Sequence, residues 1–247
     1  MNSLLHLVRD FLNAGLSFVY PEVCQICGEA RAAPEESFLC ADCRASARFI
    51  QPPFCERCGL PFEGAITNSF ECSNCRGREW FFSQARSAIV ARDQMLEVIH
   101  CYKYQRALWF EPFLADLLIR RALPELGKSK WTRIVPVPLH PTKQREREFN
   151  QAERLGRRLS ASTGIPLDAG LLRRRVATRT QTLLSREERL TNVRNAFVAR
   201  AGARLHGERI VLVDDVFTTG ATTSACAKVL KAAGAGEVCV WTVGRGV

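Results

Sequence analysis

Residues 211–225 read VLVDDVFTTGATTSA, and this stretch decides the fold. The apolar run from Ile210 to Asp214 predicts a buried strand, and the pattern from Thr222 to Ala233 predicts a helix. Between them lies a short turn of threonines and a glycine. A strand that passes through a tight turn into a helix is a building unit of α/β folds.

The chain around this unit alternates strands and helices from about Phe81 onward. Apolar runs predict further strands at 86–91, 133–138 and 237–243, and helical spacing predicts helices at 93–122 and 150–162. This order predicts an α/β fold with an open, mostly parallel sheet flanked by helices. Ligands of such sheets bind beyond the carboxyl ends of the strands.

Asp214 and Asp215 are predicted to emerge at that end of their strand. The turn that follows lies at a helix N-terminus, where backbone N–H groups and the helix dipole attract an anion. A ribose 5-phosphate satisfies both features, because its phosphate fits the turn while its hydroxyls and a magnesium ion face the carboxylates. The predicted phosphate site comprises Phe217, Thr218, Thr219, Gly220, Ala221 and Thr222.

Eight of the eleven cysteines form four Cys-x2-Cys pairs. Two such pairs supply the four sulfur ligands of a structural zinc site, and Gly28 and Gly59 follow their pairs where a residue tolerant of positive φ is needed. Disulfides and an iron–sulfur cluster are the alternatives, and the spacing favours zinc over both. Consecutive grouping closes shorter loops than crossed grouping. The favoured ligands are Cys24, Cys27, Cys40 and Cys43 for one site, and Cys55, Cys58, Cys72 and Cys75 for the other.

The composition predicts a globular protein with one main domain and a small appended one. Hydrophobic residues make up 47% of the 247 residues, and the net charge is +10. Residues 140–200 carry much of this charge, which suits a polyanionic ligand or a solvated arginine-rich face. We expect an amphipathic helix at 1–20, a double zinc ribbon at 21–80 and the α/β domain at 81–247.

The apolar residues near the N-terminus are interrupted by Arg9 and Asp10, and no long apolar run follows. This pattern predicts neither an export signal nor a membrane span. We therefore expect a cytoplasmic protein.

Several motifs together resemble known families. The acidic pair followed by VFTTGAT resembles the phosphoribosyl-pyrophosphate motif of type I phosphoribosyltransferases. The cysteine pairs, VPVPL at 135–139, REREFNQA at 145–152 and the TxxQTxLS segment that begins at Thr178 resemble the ComF family. That family includes competence proteins for DNA uptake and GntX-like proteins, and the resemblance runs from Cys24 onward. Glu148 departs from the glycine that the family usually has before Phe-Asn.

The resemblance implies a type I phosphoribosyltransferase-like fold and several site residues. Asp214 and Asp215 would be the catalytic pair, and Lys103 would reach a phosphate, with a solvated helix lysine as the favoured alternative. A mobile hood would correspond to residues 173–194, with an exposed arginine-rich surface as the alternative. The pyrophosphate would be bound by Pro138, Leu139, His140, Arg179 and Gln181, with a plain surface role as the alternative for His140.

The implied enzyme is a phosphoribosyltransferase, a glycosyltransferase that uses Mg²⁺ and displaces pyrophosphate from the ribose anomeric carbon. Basic side chains would neutralise the departing pyrophosphate. Purine-salvage relatives typically have aspartate at the position of Thr218. Because a threonine is no base near neutral pH, hypoxanthine and guanine are disfavoured as acceptors.

The alternative is a competence-type accessory protein that binds single-stranded DNA and has a regulatory or vestigial nucleotide pocket. Its DNA affinity would depend strongly on salt. The aromatic residues Phe54, Phe62, Phe70, Trp80 and Phe81 would then stack on bases, or they form the core of the ribbon, which is the favoured interpretation. The partners implied are phosphoribosyl pyrophosphate or a related ribose phosphate, single-stranded DNA and other competence proteins.

Overall fold

The computed structural model describes residues 22–62, 64, 72–128, 130–176 and 195–246. The chain divides into two compact units, Met1–Ser46 and Ala47–Val247. The helix predicted at 1–20 lies outside the described residues. The second cysteine quartet therefore belongs to the same compact unit as the sheet, and the domain boundary after residue 80 stays a prediction.

The first unit is a small knuckle fold with short elements. An antiparallel bridge joins Val23 to Arg31, and a single 3-10 turn spans Pro34–Glu36. The helix α1, Ala41–Ala45, begins directly after Cys40, whose sulfur accepts a hydrogen bond from the Cys43 backbone N–H. Backbone turns therefore direct the cysteines of this unit toward one another.

The second unit is built on a four-stranded parallel sheet, which confirms the predicted sheet. Its strand order is β1-β6-β5-β2. The strands are β1 (Gln84–Val90), β2 (Arg133–Pro136), β5 (Arg209–Phe217) and β6 (Glu237–Arg245). The central strands β5 and β6 are nearly continuous apolar runs, as expected for a sheet covered on both faces.

Five helices of the second unit are described, and two of them replace one predicted helix. The single helix expected at 93–122 is wrong, because Arg106 adopts a left-handed conformation with φ 57° and a 3-10 turn, Leu108–Phe110, follows. Pro112 then lies in the first turn of the next helix, where its missing N–H has no cost. The helices are α2 (Asp93–Tyr104), α3 (Glu111–Leu126), α4 (Pro141–Arg147), α5 (Gln151–Thr163) and α6 (Ala221–Ala232).

The helices cover both faces of the sheet. Helices α3 and α5 pack against each other and against the sheet, and α6 packs against β5 and β6. The apolar cluster under α6 includes Ile210, Leu212 and Val240 of the sheet, and the four cysteines of the second quartet belong to the same cluster. The second quartet is thus part of the core of the larger unit.

A two-stranded antiparallel sheet was not predicted. Strands β3 (Leu172–Arg174) and β4 (Phe197–Ala199) pair at the two ends of the segment 177–194. Most of the hood expected at 173–194, including Arg179 and Gln181, therefore lies outside the described residues.

Candidate functional site

The acidic pair lies inside β5, close to its carboxyl end. The strand continues to Phe217, three residues beyond the predicted end. Asp215 is only 5% exposed, and its backbone N–H donates to Asp214 Oδ1 at 2.9 Å. Both carboxylates line one cavity of about 310 Å³ at this end of the sheet.

A lysine and a glutamine hold Asp215. Lys103 Nζ lies 2.7 Å from Asp215 Oδ2, and Gln151 Nε2 donates to the same oxygen at 3.5 Å. Burial would raise the pKa of Asp215, but the Lys103 ammonium lowers it below its ordinary value. Asp215 is therefore the ionised member of the pair.

Asp214, in contrast, favours its protonated form. Burial, reinforced by the charge of Asp215, raises the pKa of Asp214 to about 8. Two carboxylates with pKa values driven apart in one cleft are typical of functional sites. At neutral pH the pair therefore carries about one negative charge, which a bound cation would increase.

The predicted phosphate turn follows directly. Thr218–Gly220 links β5 to α6, and Gly220 adopts φ 79° as the residue that precedes the helix. A Cβ on Gly220 would lie 2.6 Å from the Phe217 ring and 2.7 Å from the Trp80 ring, so only glycine fits. The turn and the first residues of α6 line the same cavity as the carboxylates.

The loop after β2 forms another wall. Pro138, Leu139 and His140 line the cavity together with the acidic pair. His140 Nδ1 also accepts a hydrogen bond from the Thr142 backbone N–H at 3.3 Å and caps α4. The structure thus brings these three residues to the acidic pair, and their binding role stays a prediction.

Basic side chains make the cavity strongly cationic. Lys103, Lys143, Arg147 and Arg174 line it together with the carboxylates. The Arg147 guanidinium lies 4.7 Å from the centre of the Tyr104 ring. A cleft with this excess of positive charge concentrates anions.

Sequence reasoning gave no role to two cavity residues in the REREFNQA motif. Asn150 caps α5 through Ala152 N–H and donates to Val137 O at 3.1 Å, which ties the helix to the loop after β2. Gln151 is 3% exposed and contacts Asp215. An asparagine directly before a basic helix was the available signal, since asparagine is a preferred N-cap.

The cysteines cluster as two consecutive quartets, which confirms the favoured grouping. In each quartet all four sulfurs lie within 4.8 Å of one another. Sulfur pairs Cys27–Cys40 and Cys55–Cys75 are 3.8 Å apart. Tetrahedral zinc with Zn–S bonds of about 2.3 Å places its sulfurs about 3.8 Å apart, so both quartets fit structural zinc.

The aromatic residues around the second cysteine quartet, a segment called the second ribbon below, lie mainly in the apolar core. Trp80 is buried against Phe82, with ring centres 5.1 Å apart, and Phe62 and Phe81 pack against the same cluster. Trp80 is therefore not available to stack on a base. Phe70 lies outside the described residues.

None of the helices in the described residues has the length and apolar character needed to span a membrane.

The double zinc ribbon domain family matches residues 15–77. Among solved structures, adenine phosphoribosyltransferase from Leishmania donovani is 19% identical, with a TM-score of 0.35 over 57% of this chain and 55% of that one. Adenine phosphoribosyltransferase from Trypanosoma brucei is 15% identical, with a TM-score of 0.36 over 59% and 68%.

Three curated proteins are similar over most of their length. Competence protein F of Haemophilus influenzae is 32% identical over 84% of this chain and 90% of its own. DNA utilization protein YhgH of Escherichia coli K12 is 30% identical, covering 91% and 97%. Competence protein ComFC of Streptococcus pneumoniae is 29% identical, covering 85% and 89%. The chain belongs to the ComF family of competence proteins.

Proposed function

We propose that this chain binds phosphoribosyl pyrophosphate with Mg²⁺ and acts as a phosphoribosyltransferase-like protein in the uptake or use of DNA. One observation carries the proposal. A single cavity joins the Asp214/Asp215 pair, the turn around Gly220 and the loop at Pro138–His140. These three features match the three parts of the ligand, which are its ribose, its 5-phosphate and its pyrophosphate.

The turn is suited to the 5-phosphate. It lies at the N-terminus of α6, a helix of 12 residues whose dipole and first N–H groups favour an anion. The hydroxyls of Thr218, Thr219 and Thr222 border the same space. We expect the phosphate to accept hydrogen bonds from these groups.

The carboxylates are suited to the ribose and to a metal ion. Mg²⁺ is usually held by one or two carboxylates together with substrate phosphates, so Asp214 and Asp215 would hold it. When bound, Mg²⁺ would stabilise the charge of the pyrophosphate. Ionisation of Asp214 would accompany this binding, since its pKa of about 8 lies above neutrality.

The cationic wall is suited to the departing pyrophosphate. Lys103, Arg147 and Arg174 would offset the negative charge that develops as the bond from the anomeric carbon to pyrophosphate breaks. The chain's main contribution would be orientation and charge neutralisation. Thr218 offers no base at neutral pH, so the acceptor would be a nucleophile other than an ordinary salvage purine.

A second candidate function is the binding of single-stranded DNA. It is favoured by the net charge of +10 and by the DNA-related names of the similar proteins. Because Trp80 is buried, half-buried rings such as Phe81 would stack on the bases. The centre of the Phe81 ring lies 4.9 Å from Lys228 Nζ. DNA affinity that falls steeply with salt supports this function, and its absence at low salt rules it out.

Calorimetric titration with phosphoribosyl pyrophosphate and Mg²⁺ tests the first function. We expect Asp214→Asn/Asp215→Asn to lower affinity at least about 100-fold, since it removes both anionic ligands. The matched control Asp116→Asn/Glu153→Gln removes two carboxylates that pair with arginines outside the cavity, and it should bind like the wild type. Retained affinity in the first variant contradicts the proposal.

A further inference from the structure

Arg245 is a buried arginine at the end of β6, and its guanidinium contacts backbone carbonyls at the start of the phosphate turn. It is 2% exposed. Its Nη1 donates to Thr218 O at 2.8 Å and to Phe217 O at 3.1 Å, and it also contacts Gly246 O. Since these carbonyls belong to the entry of the turn, Arg245 fixes the path of the backbone there.

The other neighbour of Arg245 is the second cysteine quartet. Burial lowers the pKa of Arg245, and the negative charge of the Cys58 sulfur opposes this effect. Cys72 and Cys75 act in the same direction. Four thiolates around Zn²⁺ carry a formal charge of about −2, which is the counter-charge that a buried guanidinium requires.

The segment that follows Cys75 adds further contacts to the turn. Arg78 Nη1 donates to Thr219 O at 3.5 Å, and the Trp80 ring occupies the space beside Gly220. The Phe81 backbone N–H donates to Ser224 Oγ in the first turn of α6, at 3.4 Å. The segment after Cys75 thus contacts Thr219, Gly220 and Ser224, in the turn and in the first turn of α6.

We propose that the second zinc site sets the geometry of the phosphate turn, with Arg245 as the positioning residue that links the two. Zinc occupancy of this quartet then controls affinity for a ligand that carries a phosphate. This consequence rests on the proposed function of the turn. Because coupling between sites is reciprocal, a bound phosphate ester would also slow zinc loss from the second quartet.

Hydrogen exchange of the turn amides, without any ligand, tests the link itself. In Arg245→Met we expect exchange at residues 218–224 to accelerate about tenfold or more, while the strand amides at 210–213 stay protected. Arg245→Lys keeps the charge and should restore part of the protection. Unchanged exchange at 218–224 in Arg245→Met overturns the proposal.

The zinc arm uses matched serine variants and does not depend on how Arg245 variants fold. Cys58→Ser in the second quartet should accelerate exchange at 218–224 by a larger factor than at the strand amides 210–213, and Cys43→Ser in the first quartet should accelerate neither. Zinc content of each variant, measured by atomic absorption, confirms which site is lost. Equal effects of the two variants on the turn overturn the proposal.

Zinc release to a colorimetric chelator, with and without ribose 5-phosphate, tests the reciprocal effect. We expect one of two zinc ions to be released more slowly when the sugar phosphate is present. If ribose 5-phosphate binds and neither release rate changes, the coupling is wrong while the proposed ligand stands. If neither it nor phosphoribosyl pyrophosphate with Mg²⁺ binds but the turn amides still respond to Cys58→Ser, the coupling stands and the proposed ligand is wrong.

Discussion

The two cysteine quartets have the same Cys-x2-Cys pattern but different surroundings. The first belongs to the compact unit Met1–Ser46, and its Cys27 is exposed. All four cysteines of the second quartet are buried in the apolar cluster of the second unit, Ala47–Val247, called the sheet unit below. The comparison shows that ligand spacing predicts a metal site but does not indicate which structure the metal supports.

The residues around each quartet repeat this difference. The second ribbon is fastened to β1, where Arg86 pairs with Glu56 Oε2 at 2.6 Å and the Arg57 carbonyl accepts from Ala85 N–H. Gly59 packs against the Ala85 carbonyl, whereas the equivalent Gly28 of the first ribbon has open space around it. The predictions below test this contrast, from the largest expected effect to the smallest.

Loss of a ligand should separate the two quartets most strongly. Cys58→Ser is expected to lower the free energy of unfolding of the sheet unit by about 4 kcal/mol or more, since it removes a structural metal from the core. Cys43→Ser should leave this unit's stability unchanged. All four tryptophans, Trp80, Trp109, Trp131 and Trp241, lie in the sheet unit, so urea unfolding followed by tryptophan fluorescence reports on it alone.

The equivalent glycines provide a subtler version of the same test. Gly59→Ala combines a left-handed conformation with a Cβ that would lie 2.7 Å from Ala85 O, and we expect a loss of about 3 kcal/mol. Gly28→Ala has the conformational cost alone, about 1 kcal/mol. Chemical denaturation measures both losses of free energy. Tryptophan fluorescence reports on the sheet unit, and zinc release reports on the first unit. Equal losses of unfolding free energy in the two variants would show that the packing of Gly59 against β1 adds no cost.

The acidic end of the cavity should respond to pH independently of the ribbon. Under the proposed function a cation binds the ionised form of Asp214, so affinity for Mn²⁺, used as a spectroscopic substitute for Mg²⁺, should rise about tenfold per pH unit and level off above about pH 8. Lys103→Met removes a charge that favours the ionised form, so the midpoint should move to higher pH. Electron paramagnetic resonance measures free Mn²⁺.

The control for this profile is Arg245→Met, which acts at the other end of the cavity. Its midpoint should match the wild type. A shift in Arg245→Met as large as that in Lys103→Met would mean that the ribbon controls the carboxylates as well as the turn.

The smallest effect is expected at Glu148, which lies in the α4–α5 turn and belongs to neither quartet. Glu148 adopts φ 69°, a left-handed conformation that glycine adopts without strain. Glu148→Gly relieves strain, but glycine's larger unfolded-state entropy and the loss of an exposed pair with Arg106 oppose the gain. We expect a net stabilisation below about 1 kcal/mol by thermal unfolding, and a clear destabilisation would contradict this interpretation.

Much of the sheet unit could be predicted because its signals are local. Strands β5 and β6 are long apolar runs, and cysteine spacing identified both quartets. The break at Arg106 was not predicted because the apolar spacing continues on both sides, although Pro112 does mark the start of the next helix. A tertiary fit rather than a local preference places that arginine in a left-handed conformation.

The supporting residues of the site were also hard to predict. Lys103 looked like a solvated helix lysine, yet it pairs with Asp215 across the cavity. Arg245 is the last residue of β6, and an unpaired arginine is rarely buried as fully as this one. Its importance depends on a contact between β6 and a cysteine pair far away in sequence, which neither composition nor periodicity encodes.

A crystal structure of the zinc-loaded protein with phosphoribosyl pyrophosphate and Mg²⁺ tests the central claim most directly. The account predicts the 5-phosphate on the backbone N–H groups at Thr218–Thr222, and the ribose hydroxyls on Asp214 and Asp215. An empty cavity at saturating ligand and metal, or a ligand bound away from the Gly220 turn, would contradict it.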